Sequence, residues 1–115
     1  MRRLGTYLRL YRRRWQLTQQ ELAFLFGYSD QTNIARFEQE ERAITLAVAH
    51  ACELIFGVAA KEIFPTIFGS VEEGVVNRLQ ELCGRLSQAE PTQRTLAKLD
   101  FLHRALRRLT TKQGV

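Results

Sequence analysis

The sequence predicts an all-α protein: five helices in an N-terminal domain over residues 1–65, then a two-helix C-terminal hairpin over residues 66–115. Three observations predict it. Proline occurs only at Pro65 and Pro91, glycine falls mostly where helical patterns stop, and apolar residues recur at helical spacing with no competing strand alternation.

Leu4, Leu8, Tyr11 and Trp15 lie three or four residues apart, giving a first helix a large apolar stripe opposite an arginine-rich side. Thr18-Gln19-Gln20-Glu21 is a capping box whose threonine and glutamate satisfy free amides at the start of a second helix. Leu22, Leu25 and Phe26 supply its apolar face, and Gly27 ends it. Ser29 or Asp30 caps a third helix running to about Gln39, and Thr45 caps a fourth running to Gly57. In the fourth, Leu46, Ala49, Cys52 and Phe56 form the stripe; a brief fifth helix around Lys61 to Phe64 stops at Pro65.

Ser70-Val71-Glu72-Glu73 is a second capping box, opening a helix with Val71, Val75, Leu79, Leu82, Cys83 and Leu86 at helical spacing. Pro91-Thr92 opens the last helix, whose stripe is Leu96, Leu99, Leu102, Leu106 and Leu109. Two helices cannot shield all of that apolar surface by themselves, so a second copy of the chain is expected on the leucine stripe, making a homodimer. The other way to cover it is to fold the hairpin back on the first domain.

At 115 residues, 45% hydrophobic and 25% charged, the chain has the composition of one globular domain with an appendage. Cys52 and Cys83 form no CxxC pair, and His50 and His103 stand alone, so zinc and redox sites lack ligands at usable spacing. No cofactor or metal is expected, and the cysteines read as buried free thiols in a reducing cytoplasm. No apolar run reaches a membrane span, and no apolar stretch follows Arg2-Arg3, so neither a membrane partner nor export is expected. A glycine-rich phosphate loop, a nucleophile motif and paired His or carboxylate groups are all missing, which argues against an enzyme. The net charge of +5 is uneven. Residues 1–16 carry six arginines and no acid, whereas residues 17–65 hold three bases against seven acids. The positive charge is an N-terminal patch, suited to a polyanion.

A helix, a turn opening on glycine and a second short helix make a helix-turn-helix, whose second helix can enter a DNA major groove. With Ile34 set inward and about 100° per residue, Phe37 and Glu38 also face inward, while Thr32, Asn33, Ala35 and Arg36 face out. Gln31 reaches forward from the helix start. Amide, hydroxyl, methyl and guanidinium groups in one set suit base reading, although any solvated helix face is polar.

Leu17-Thr18-Gln19-Gln20-Glu21-Leu22-Ala23, Gly27-Tyr28-Ser29, Ile34-Ala35-Arg36-Phe37-Glu38 and Arg42 together closely resemble the lambda-repressor-like, xenobiotic-response-element (XRE) family of helix-turn-helix regulators, over about residues 4–65. The resemblance implies that Gln19 touches a phosphate and that Gln31, Thr32 and Arg36 read bases. It also implies a structural pair between Arg12 and Glu38 that locks the third helix on the first. Four positions depart from the family pattern: one extra residue between Gly27 and Ile34, Glu40 in place of glycine, Glu41 in place of a base, and Ile44 in place of proline. At Glu40 the chain either holds a positive φ at a cost of about 1 kcal/mol or changes the turn. Glu40 and Glu41 also oppose phosphate, with Arg42 as the compensating backbone contact.

Arg2 and Arg3 are candidates for an arm on the DNA backbone, with Arg9, Arg13 and Arg14 adding attraction; otherwise they are a solvated helix side. The expected function is sequence-specific binding of double-stranded DNA by a homodimeric transcriptional regulator, a repressor. The alternative is a protein-interaction module on the same fold, such as an antitoxin or accessory protein, towards which the acidic segment Glu38 to Glu41 leans.

Overall fold

The computed structural model describes residues 6–113, whose regular structure is all helical, with no strand among the described residues. The helices are α1 (Leu8–Arg14), α2 (Gln19–Phe26), α3 (Thr32–Glu38), α4 (Leu46–Phe56), α5 (Ala60–Ile63), α6 (Pro65–Ser87) and α7 (Gln93–Gln113). The chain divides into two compact units, Met1–Gly69 and Ser70–Val115. Leu4, Arg2 and Arg3 lie outside the described residues. None of the helices described is long and apolar enough to cross a membrane.

In the first unit, Thr6 Oγ1 accepts from the Leu8 amide at 3.1 Å, and the Tyr7 amide donates to the Ile63 carbonyl at 2.7 Å, tying the start of α1 to the end of α5. Trp15, expected in the buried stripe, is instead 67% exposed. Helix α1 ends one residue before it, and Gln16 at φ 60° turns the chain away. The Thr18 capping box is complete, with Glu21 N–H to Thr18 Oγ1 at 3.0 Å and Thr18 N–H to Glu21 Oε1 at 2.8 Å. Gly27, at φ 86°, ends α2 in the left-handed conformation that glycine takes without strain.

Leu25 in α2 and Leu46 in α4 were expected to face inward but are 49% and 87% exposed. The reason is angular. Each stands about 110° around its helix from the middle of the arc that is buried, which Leu22, Ala23 and Phe26 mark in α2 and Val48, Ala49, Cys52 and Phe56 mark in α4. Thr45 Oγ1 caps α4 through the Val48 amide at 3.1 Å, and Glu53 Oε2 accepts from the Ala60 amide at 2.9 Å where α5 begins. The core joins Leu8, Leu22, Ala23, Ile34, Phe37, Val48, Cys52, Ile63 and Phe64, so all five helices contribute to it.

Pro65 both ends α5 and begins α6. The expected cap at Ser70 is therefore not formed, because Ser70 lies in the second turn of a helix that has already started. A proline at the first helical position lacks only an amide that has no intrahelical partner, and its fixed φ suits the helix.

In the second unit α6 continues to Ser87, and Thr92 Oγ1 caps α7 through the Thr95 amide at 3.1 Å. Cys83, Leu102 and Ala105 are buried. Leu82, Leu86, Lys98, Phe101 and Leu102 line an apolar groove of about 260 Å³. Of the leucine stripe expected to meet a second copy, Leu102 is already covered within the chain. Leu99, Leu106 and Leu109 are half-buried, and Leu96 is exposed. The chain itself covers the middle of the stripe and leaves its N-terminal end open.

Candidate nucleic-acid interface

Helix α3 is seven residues long, too short to hold its shape in water alone. Its position comes from three anchors. Ile34 and Phe37 are buried in the core, and Glu38 is held by Arg12 through a two-pronged bridge, Nε to Oε2 at 2.6 Å and Nη2 to Oε1 at 3.2 Å. The two side chains are 11% and 3% exposed, respectively. Arg12 Nη1 also donates to the Leu17 carbonyl at 2.8 Å, and Gln19 Nε2 donates to Glu38 Oε1 at 3.1 Å. A single carboxylate thus gathers α1, the start of α2 and the end of α3. At the other end of α3, Asp30 Oδ1 accepts from the Thr32 amide at 2.8 Å, and this amide bond holds the Asp30 carboxyl below its ordinary range.

With that face fixed, Gln31, Thr32 and Arg36 are exposed, while Asn33 and Ala35 are half-buried. Arg36 makes no ion pair with a described residue. Beside this surface lies a polar cleft of about 490 Å³ lined by Arg9, Arg12, Thr18, Gln19, Gln31, Glu38 and Gln39. Arg12 answers the charge of Glu38, which leaves the Arg9 cation facing the cleft. Gln19 gives one hydrogen of its amide to Glu38 and keeps the second for another acceptor.

The other arginines are arranged differently. Arg13 and Arg14 are exposed, with Arg14 lying over the Tyr11 ring at 5.0 Å. Arg42 is folded onto α3, donating to Asn33 Oδ1 and lying over the Phe37 ring at 5.7 Å. Glu40 adopts φ 60°. The Glu41 amide donates to the Arg36 carbonyl at 2.8 Å and the Glu40 amide to the Phe37 carbonyl at 3.2 Å. These two bonds are the Schellman closure of a helix, with glutamate where glycine is favoured. The turn keeps its shape, and Glu40 bears the strain.

Two features of the site were not visible in the sequence. Gln39 enters the cleft as the residue that caps α3, a placement that depends on where the helix stops. The bonds from Gln19 to Glu38 and from Arg42 to Asn33 cross turns, and spacing alone gives no sign of them. Elsewhere, burial pushes the Cys52 thiol up to about 12, with Glu53 adding to the effect, so this cysteine is a poor nucleophile. Among the described residues, no group of three or more His, Cys, Asp or Glu side chains is placed to hold a metal ion. Comparison with profiles of known protein families, with characterised proteins and with solved structures finds no match to this chain.

Proposed function

We propose that the chain is a sequence-specific DNA-binding regulator of the lambda-repressor-like, XRE helix-turn-helix type, acting as a homodimeric repressor. In this reading α2, the turn after Gly27 and α3 form the helix-turn-helix, and α3 enters the major groove. The observation that carries the reading is the division of α3 into two faces. One is fixed by Ile34, Phe37 and the Arg12–Glu38 bridge, and the other presents Gln31, Thr32 and Arg36 beside a cleft holding the Arg9 cation. Arginine matches the paired acceptors of guanine, and glutamine matches adenine. A phosphate fits the cleft, met by Arg9 and by the free hydrogen of Gln19, with Arg13 and Arg14 adding sequence-independent attraction. The α6–α7 hairpin supplies the dimer contact through Leu96 and the groove around Phe101. Two copies related by a two-fold axis would read half-sites about 34 Å apart, one turn of DNA.

The exposed pair Glu40 and Glu41 favours a second reading, a protein-interaction module such as an antitoxin, since both carboxylates repel phosphate. Binding titrations on the DNA upstream of the protein's own gene and on random duplex separate the two. Arg36→Ala is expected to cost about 1 to 3 kcal/mol on the specific duplex and little on the random one, whereas Arg13→Ala and Arg14→Ala weaken both alike. Equal losses for Arg36→Ala on both duplexes remove Arg36 as a reader, and no binding by the intact chain favours the interaction module.

A further inference from the structure

The carboxamide of Asn33 carries an oxygen that only accepts and a nitrogen that only donates. Arg42 donates Nη1–H to that oxygen. The opposite orientation would set N–H against N–H, because a guanidinium has five donors and no acceptor. Arg42, an exposed side chain, lies over the ring of Phe37, which is 1% exposed. The orientation of Asn33 is thus tied to the core through two side chains. Asn33 Nδ2 donates to no described residue. No buried side-chain nitrogen or oxygen among the described residues lacks a partner, so Nδ2 opens to the surface.

We infer that Arg42 is a positioning residue that presents Asn33 to DNA as a donor, so that this pair selects guanine and not adenine. The inference rests on the DNA-binding reading above. An unrestrained asparagine prefers adenine, whose N6–H gives a hydrogen to the amide oxygen while N7 accepts one from the amide nitrogen. Here the oxygen lies against a cation, and an adenine amino group brought to it meets the guanidinium, positive against positive. Guanine offers only acceptors, O6 and N7, on the same edge. Those acceptors suit both the free Nδ2–H and the neighbouring positive charge. Arg42 therefore contributes to specificity from the loop after α3 while acting through another residue.

The test selects duplexes from a randomised pool with the full chain as wild type, Asn33→Ala, Arg42→Met and Arg42→Lys. The position whose preference disappears in Asn33→Ala is the one Asn33 contacts. Wild type should favour guanine there, and Arg42→Lys, which keeps a cationic donor, should retain that preference. Arg42→Met frees the oxygen, and the adenine-to-guanine ratio should rise by about five-fold or more. Adenine already favoured by wild type, or a ratio unchanged in Arg42→Met, overturns the inference. A wild type that enriches no motif overturns it together with the DNA-binding reading. The side-chain amide resonances of Asn33 in the free protein tell these failures apart: they shift in Arg42→Met if the clamp exists, and stay in place if it does not. Circular dichroism of each variant verifies that it is folded.

Discussion

Replacing Glu38 with glutamine tests what holds α3 in place. The substitution keeps volume and shape, so no cavity forms, but it leaves the Arg12 guanidinium without its counter-charge at 11% exposure. Removing one partner of a buried pair costs about 3 to 5 kcal/mol. The lower end applies here, because Arg12 keeps its 2.8 Å bond to the Leu17 carbonyl. For a unit of this size each kcal/mol moves the melting temperature by about 4 to 8 °C, so a fall of roughly 12 °C or more is expected. Urea unfolding followed by circular dichroism should be run on Glu38→Gln, Arg12→Met and the double variant. The double variant is expected to lose less than the sum of the singles, since neither charge is then left alone. A Glu38→Gln protein within about 0.5 kcal/mol of wild type, or a strictly additive cycle, refutes the argument.

Three further outcomes follow from the same structure. Glu40→Gly removes about 1 to 2 kcal/mol of left-handed strain and adds about 0.4 to 1 kcal/mol of unfolded-chain entropy, so the unfolding free energy from urea titration should rise by up to about 1.6 kcal/mol; a fall means the Glu40 side chain stabilises the turn. Cys52, with its thiol raised from 9.0 to about 12, should resist thiol reagents at mildly alkaline pH until the chain unfolds. The folded state keeps the proton that the unfolded state loses, so this thiol's contribution to stability is complete below 9.0 and declines as pH rises towards 12, and rapid native labelling of Cys52 contradicts its burial. If the hairpin holds the proposed dimer, a chain cut after Gly69 should sediment as a folded monomer where the full chain sediments as a dimer, and a cut chain that stays dimeric overturns that assignment.

The helix starts at Thr18 and Thr45 and the stops at Gly27 and Gly57 were legible because each depends on bonds within three or four residues. The same kind of signal misled at Ser70. There a capping box is present in the sequence, but the proline five residues earlier had already opened the helix, so the box found no free amides. Trp15, Leu25 and Leu46 show a second limit. Helical spacing marks out a stripe, yet whether its edge or its end is covered depends on neighbouring elements, and at these three positions the described residues leave between about half and nearly all of the side chain exposed. In the candidate site, the exposure of Thr32 and Arg36 followed from helix geometry, which also set Asn33 and Ala35 outward where the structure leaves them half-buried. The Arg12–Glu38 contact was expected from resemblance to a family. Gln19 sharing Glu38, and Arg42 fixing Asn33, depend on how three elements meet, which no local pattern encodes.

The shortness of α3 bears on how it comes apart. A seven-residue segment has almost no helicity of its own, so its hydrogen bonds persist only while Ile34, Phe37 and Glu38 remain docked. Such a segment does not fray gradually from its ends; it opens when the surrounding core opens. Amide protons of Phe37 and Glu38 should therefore exchange with solvent at a rate close to that of Leu22 or Cys52, deep in the unit, and not at the rate of a surface turn. Warming would leave the backbone of α3 in place until the unit as a whole loosens, and then release its outward groups together.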